Sequence, residues 1–147
     1  MLLGEFSSGR YSLIPRTLIF ITRKNDILLL RGAANKRLWA NQYNGIGGHV
    51  EPGEDVLSAA RRELQEETGL APIDLHLTGV VTIDTGSSPG ILLFVYRGEY
   101  PAEMNGHLTD SPEGSLEWVD QAALLNLPLV EDLHILLPMV LAAVPGD

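Results

Sequence analysis

The chain has no cysteine, which rules out disulfide bridges and thiolate zinc sites without naming a compartment. It has no apolar run of the roughly eighteen residues that a membrane span needs. Its start, Met1 to Tyr11, lacks both a basic opening and a long apolar centre. Neither a transmembrane segment nor a signal peptide is therefore expected, and the chain reads as cytoplasmic. Positive charge is scarce as well: ten Lys and Arg stand against nineteen Asp and Glu, for a formal net charge of −9 and a pI near 4.8. The backbone of DNA or RNA needs clustered cations, so polymeric nucleic acid is not an expected partner. A free nucleotide stays within reach, because a divalent cation can screen its phosphates locally. No internal repeat is present, and His49, His76, His107 and His134 are too scattered to argue a site.

What is present suits one compact unit. With 147 residues, 45 % of them hydrophobic, residues 1–147 are expected to form a single domain with a proper core. Residues 1 to about 15 read as a loosely held lead-in, broken by Gly4, Ser7, Ser8, Gly9 and Pro15. Thr17 to Arg23 and Ile27 to Arg31 are apolar and rich in β-formers on either side of a Lys24-Asn25-Asp26 turn, so they read as a hairpin buried on two faces. Gly32 to Gln42, with Lys36, Arg37 and Trp39 just after Arg31, reads as a solvated polar loop anchored by the tryptophan or as a loop that steers a ligand's phosphates. Ile73 to Thr85 and Ile91 to Arg97 are further strands around a Gly86 to Gly90 turn, and Gly98 to Gly114 is a patternless excursion. Leu116 to Val119 is a short strand, Asp120 caps a short helix through Leu125, and Glu131 to Val144 is a terminal helix interrupted at Pro138. Strands on both sides of an internal helix, with a second helix at the end, describe an α/β/α sandwich around a mixed sheet.

The centre of the sequence is Gly48 to Leu70, GHVEPGEDVLSAARRELQEETGL, which holds six acids against two arginines. A loop holding Gly47, Gly48, Pro52 and Gly53 gives way near Glu54 or Asp55 to a run of strong helix formers, which should end at about Thr68 with Gly69 as a left-handed C-cap. Glu63, Glu66 and Glu67 stand at i, i+3 and i+4, so three carboxylates share one helix face. Like charges at that spacing destabilise a helix by a few tenths of a kcal/mol per pair, roughly. Something positive belongs among them, and hard oxygen donors suit magnesium or manganese better than zinc. Val56, Leu57, Ala60 and Leu64 fall on the opposite side and can pack on a sheet.

The same stretch resembles the Nudix box, Gly-x5-Glu-x7-Arg-Glu-U-x-Glu-Glu-x-Gly-U with U aliphatic, at every position: Gly48, Glu54, Arg62, Glu63, Leu64, Glu66, Glu67, Gly69 and Leu70. At average residue usage such a match recurs by chance in about one chain in ten million, so chance is not its source. The resemblance implies the Nudix α/β/α fold with a mixed β-sheet between helices. It also implies hydrolysis of a nucleoside diphosphate linked to a further group, with Mg2+ as cofactor and Mn2+ able to substitute. Carried onto this chain, the metal ligands would be Glu63, Glu66, Glu67 and the Gly48 carbonyl, with Glu63 as the expected base. Arg62 and Glu54 would be paired, holding the ligand helix against its loop.

Outside the box, YNGIGGHVEPGE is similar to the MutT-like, oxidised purine nucleoside triphosphate hydrolase branch. In that branch the asparagine matching Asn44 contacts the base, and an acidic pair matching Glu131 and Asp132 faces the purine edge. The expected reaction is a nucleoside triphosphate, with oxidised purines such as 8-oxo-dGTP foremost, going to the monophosphate and pyrophosphate. This chain differs from the branch at His49, where lysine is common, and at Leu129, where a stacking tryptophan stands in the mammalian members. Loss of that ring removes a platform worth about 1 to 3 kcal/mol, to be made up by Tyr43, Trp39 or Trp118. Glu117 is a further candidate metal ligand or base. The alternatives are an ADP-ribose or dinucleoside polyphosphate hydrolase and a silent nucleotide-binding domain. A second copy of the chain is a candidate partner, through the apolar stretch near Leu124 to Val130 and the terminal helix.

Overall fold

The computed structural model describes residues 9–35, 37, 39–70, 72–101, 108 and 113–143. The expectations for residues 1–8, for Lys36, for His107 and most of the 98–114 excursion, and for Val144 lie outside them. Strands β1 (Leu13–Arg23), β2 (Asp26–Gly32), β3 (Tyr43–Asn44) and β4 (Ile46–His49) precede helix α1 (Val56–Thr68). Then come β5 (Leu75–Ile83), β6 (Gly90–Glu99), β7 (Gly114–Asp120), a short 3-10 helix (Gln121–Asn126) and α2 (Leu133–Ala142). The sheet runs β3-β2-β1-β6-β5, with β4 added to β1 and β7 added to β2. β1 and β6 are parallel and the other pairings antiparallel, so the sheet is mixed.

The continuous apolar runs of β1 and β2 are explained by helices on both sides. Ile19, Ile21 and Leu28 join Ala60 and Leu64 of α1, whereas Leu18, Phe20, Ile27 and Leu29 join Leu133, Leu137 and Val140 of α2. Six of these strand side chains have no exposed surface at all: Ile19, Phe20, Ile21, Ile27, Leu28 and Leu29. Removing a side chain as large as Phe20 would cost about 3 to 5 kcal/mol through the cavity left behind.

Several boundaries differ from the sequence expectation. The strand begins at Leu13, not after Pro15, because Pro15 sits opposite Leu92 of β6 and its carbonyl accepts from Val50 N. Its missing N–H is no loss there. β1 and β2 do form a hairpin, but only Thr22 and Arg23 of β1 pair across it; the long partner of β1 is β6, far along the chain. The glycine-rich approach to α1 is strand, not loop, since β4 pairs with β1 from Arg16↔His49 to Ile19↔Ile46. The terminal helix starts at Leu133 and runs through Pro138 without a break. Pro138 and His134, whose carbonyl it deprives of a partner, both lie on the exposed side, where water can serve instead.

Candidate active site

α1 is set by its ends. Asp55 caps it by accepting from Ser58 N at 2.8 Å, an interaction worth about 1 kcal/mol. Gly69 closes it in the left-handed conformation (φ 69), with its N–H on the Gln65 carbonyl at 2.8 Å. Between these caps the edge of the helix beside β4 carries Arg62, Glu63, Glu66 and Glu67.

Arg62 is the hub. Its Nε and Nη2 donate to the two oxygens of Glu54 at 3.1 and 2.6 Å, and Nη2 also reaches the His49 carbonyl at 3.1 Å. Its Nη1 donates to Glu63 Oε1 at 2.9 Å and to Glu66 Oε2 at 3.4 Å. Glu54 is fixed further by Glu51 N at 2.8 Å. The Arg62 guanidinium and then the Glu51 N–H hold the Glu54 carboxyl below the ordinary range. The bidentate pair expected from the sequence is therefore formed, and Arg62 ties the helix to the loop before it. Part of the positive charge demanded by the acidic face is this same arginine.

Glu67 is left out of that network. It accepts from Gly47 N at 3.0 Å, and among the described residues no cation lies within ion-pairing distance. Burial first, and then repulsion from Glu63, push its carboxyl up to about 7, against smaller opposing help from the Gly47 N–H. Gly48 explains the closeness of strand and helix: a side chain there would run into the Glu63 carboxylate. The Gly48 carbonyl lies 3.5 Å from the Thr17 hydroxyl.

These donors fit a hard divalent cation in kind: carboxylates and a carbonyl, with Glu67 in no contact ion pair among the described residues and only Arg16 attracting it from further off. Among the described residues no three acidic or histidine side chains already converge at ligand spacing. An ion would have to draw the glutamates away from Arg62 and Gly47.

A cleft of about 460 Å³ connects this helix to the opposite side of the sheet; Glu67 and Gly47 line it together with Asn44, Glu131 and Asp132. The Asn44 Oδ1 accepts from Gly45 N at 2.8 Å, which leaves its amide N–H groups as the donors for the cleft. Asp132 occupies the N-cap of α2 with φ 71, yet its side chain makes no capping hydrogen bond. Arg16, which the sequence reading passed over, also lines the cleft and makes no ion pair among the described residues. Its signal was a lone cation at the start of an apolar strand, on the same face as Leu18.

Three sequence expectations are corrected here. Trp39 is no anchor, being 46 % exposed. Tyr43 is in the core beside Leu129 and Phe20, with its hydroxyl donating to Glu117 Oε1 at 3.2 Å, and Trp118 packs on the α1 side. Neither lines the cleft, and nor does Glu117, which is occupied by Tyr43.

The NUDIX domain family model matches residues 13–139. The chain belongs to the Nudix family. It is 30 % identical over 114 residues to the oxidized purine nucleoside triphosphate hydrolase of Mus musculus, covering 76 % of this chain and 70 % of that protein. It is 30 % identical over 101 residues to the NAD-capped RNA hydrolase NudC of Stutzerimonas stutzeri (strain A1501), covering 69 % of this chain but 33 % of that longer one. Among solved structures, the mutator MutT protein from Bacillus halodurans superposes with a TM-score of 0.73 at 28 % identity, covering 89 % of this chain and 84 % of that chain. Nudix hydrolases act on pyrophosphate bonds and generally use divalent metals such as Mg2+. The acidic face of α1 is the Nudix box in three dimensions.

Proposed function

We propose that this Nudix protein hydrolyses a purine nucleoside triphosphate, oxidised purines included, to the monophosphate and pyrophosphate. The observation that carries the reading is the single cleft that joins the acidic face of α1, through Glu67, to Asn44, Glu131 and Asp132. A polyphosphate at one end and a base at the other would span it. The mouse relative, named for oxidised purine nucleoside triphosphates, supports the same assignment.

Gly48, Glu63, Glu66 and Glu67 would hold the divalent ion, which when bound neutralises phosphate oxygens and acidifies a water. The remaining work falls to side chains. Arg16, close enough to Glu67 to attract its carboxylate, is the cation among the described lining residues available to the phosphates in a protein of net charge −9. Arg62 holds Glu63 by Oε1 alone, so the second oxygen of that carboxylate can take a proton from the attacking water. At the base end Asn44 offers N–H donors while Glu131 and Asp132 offer acceptors. That set complements a guanine-type edge, where the O6 acceptor lies beside N–H donors. With its αL backbone and no capping bond, Asp132 has a side chain free for this task.

The test is a panel of nucleotides with Mg2+ or Mn2+ and product identification. The expected result is release of a monophosphate and pyrophosphate from guanine nucleoside triphosphates, the 8-oxo form included. Preferential cleavage of ADP-ribose or a dinucleoside polyphosphate would replace this substrate assignment.

A further inference from the structure

The chain has two tryptophans, and the fold places them in opposite circumstances. Trp118 lies 4.1 Å from the Arg23 guanidinium and meets Tyr100 edge-on, with centroids 5.5 Å apart. Trp39 is 46 % exposed and lines the cleft. Its backbone sits at φ 62, and that of Asn41 at φ 59, a left-handed conformation that bulky residues rarely take. Three backbone hydrogen bonds enforce it: Gln42 N to the Trp39 carbonyl at 2.9 Å, Asn41 N to the Gly32 carbonyl at 3.0 Å, and Gly32 N to the Gln42 carbonyl at 2.9 Å. Gly32 belongs to the same arrangement, since a side chain there would overlap the Trp39 carbonyl.

Packing does not account for this loop, because the residue it holds so firmly stays half in solvent. Backbone strain that surrounding bonds over-determine, at the rim of a cleft, points to a ligand. Asn44, Glu131 and Asp132 can satisfy the edge of a base but offer nothing to its faces. Trp39 is the one aromatic residue among the described residues that line the cleft. Leu129, 6 % exposed, lies in the core and presents no ring.

We propose that Trp39 is the platform on which the purine of the substrate stacks, in place of a ring at position 129. This rests on the nucleotide reading above and adds the residue that grips the face of the base. Stacking tolerates any purine, so Trp39 would supply affinity while Asn44 and the acidic pair choose the base.

Trp118→Phe leaves Trp39 as the sole tryptophan, whose fluorescence then reports the platform directly. With Mg2+ present, dGMP should quench it saturably and deoxyribose 5-phosphate, which has no base, should not. Trp39→Ala should raise KM for dGTP and 8-oxo-dGTP about tenfold to a hundredfold, with kcat within about threefold. Trp39→Phe should recover most of that loss, which separates stacking from a folding defect. If the wild-type protein turns over these nucleotides but the quench is absent, or KM is unchanged in Trp39→Ala, the platform is wrong and nucleotide hydrolysis stands. If the wild-type protein turns over no nucleoside triphosphate, both readings fall.

Discussion

The two helices that cover the sheet are built on opposite principles. α1 has a side-chain cap at one end, a left-handed glycine at the other, and an outer face wired through Arg62 to Glu54, Glu63 and Glu66. α2 has no side-chain cap, a proline in its body and an outer face that shows Ile135 and Met139 to solvent. What α1 needs is polar, local and fixed by spacing. What α2 contributes is an apolar inner face and, just before it, two acids left free at the rim of the cleft. On the proposed reading, chemistry falls to one side of the sheet and substrate reading to the other, and substitutions on the two sides should fail in different ways.

The largest effect is expected from Glu67→Gln, which should lower kcat by roughly a hundredfold or more while circular dichroism stays native. Wild-type pyrophosphate release in that variant at saturating Mg2+ would remove Glu67 from the machinery. Arg62→Ala comes next. It releases Glu54, the His49 carbonyl and Glu63 together, and should cost about tenfold to a hundredfold in kcat, as loss of a ligand-orienting residue does. Arg62→Lys should rescue little, because an ammonium cannot reproduce the fork. Across the sheet, Asn44→Ala and Asp132→Ala should each raise KM for a guanine nucleoside triphosphate about tenfold with little change in kcat. An equal loss on inorganic tripolyphosphate would show that these residues do not read a base.

The smallest effect is on stability and depends on pH. The Glu67 carboxyl titrates near 7 in the fold against an ordinary 4.5. Between those values the folded chain binds a proton that the unfolded chain has lost. Stability in chelator should therefore fall as pH rises from about 4.5 to 7 and stay lower above it. Glu67→Gln should flatten that slope and be more stable than wild type at pH 8 by about 1 to 2 kcal/mol, allowing for partial solvent screening. Denaturant melts at the two pH values check it. Because an ion must displace that proton, metal uptake should strengthen through the same range.

The difference between the helices also decides what the sequence made legible. Arg62, Glu63, Glu66, Glu67 and Gly69 carry their meaning in their spacing, and the structure places α1, its Gly69 cap and the Arg62–Glu54 pair where the spacing puts them, with Asp55 as the N-cap rather than a helical residue. The cleft has no such local signature. Its lining comes from β1 to β6, the loop after β2, Glu67 of α1 and the start of α2, brought together in part by a parallel β1–β6 pairing that no short pattern announces. Hence nothing short-range marks Arg16 as a cleft residue or separates Tyr43 from Trp39, although burial does: 8 % exposed for Tyr43 against 46 % for Trp39. Pro15 and Pro138 misled for a simpler reason. A proline breaks an element only where its absent N–H would have been needed.

Calorimetric titration with Mn2+ at pH 8 tests most directly whether the α1 face is a metal site. The account predicts uptake at or below millimolar concentration by the wild-type protein, unchanged in Asn44→Ala and sharply weakened in Glu67→Gln. No uptake by the wild-type protein, with or without nucleotide, would contradict it.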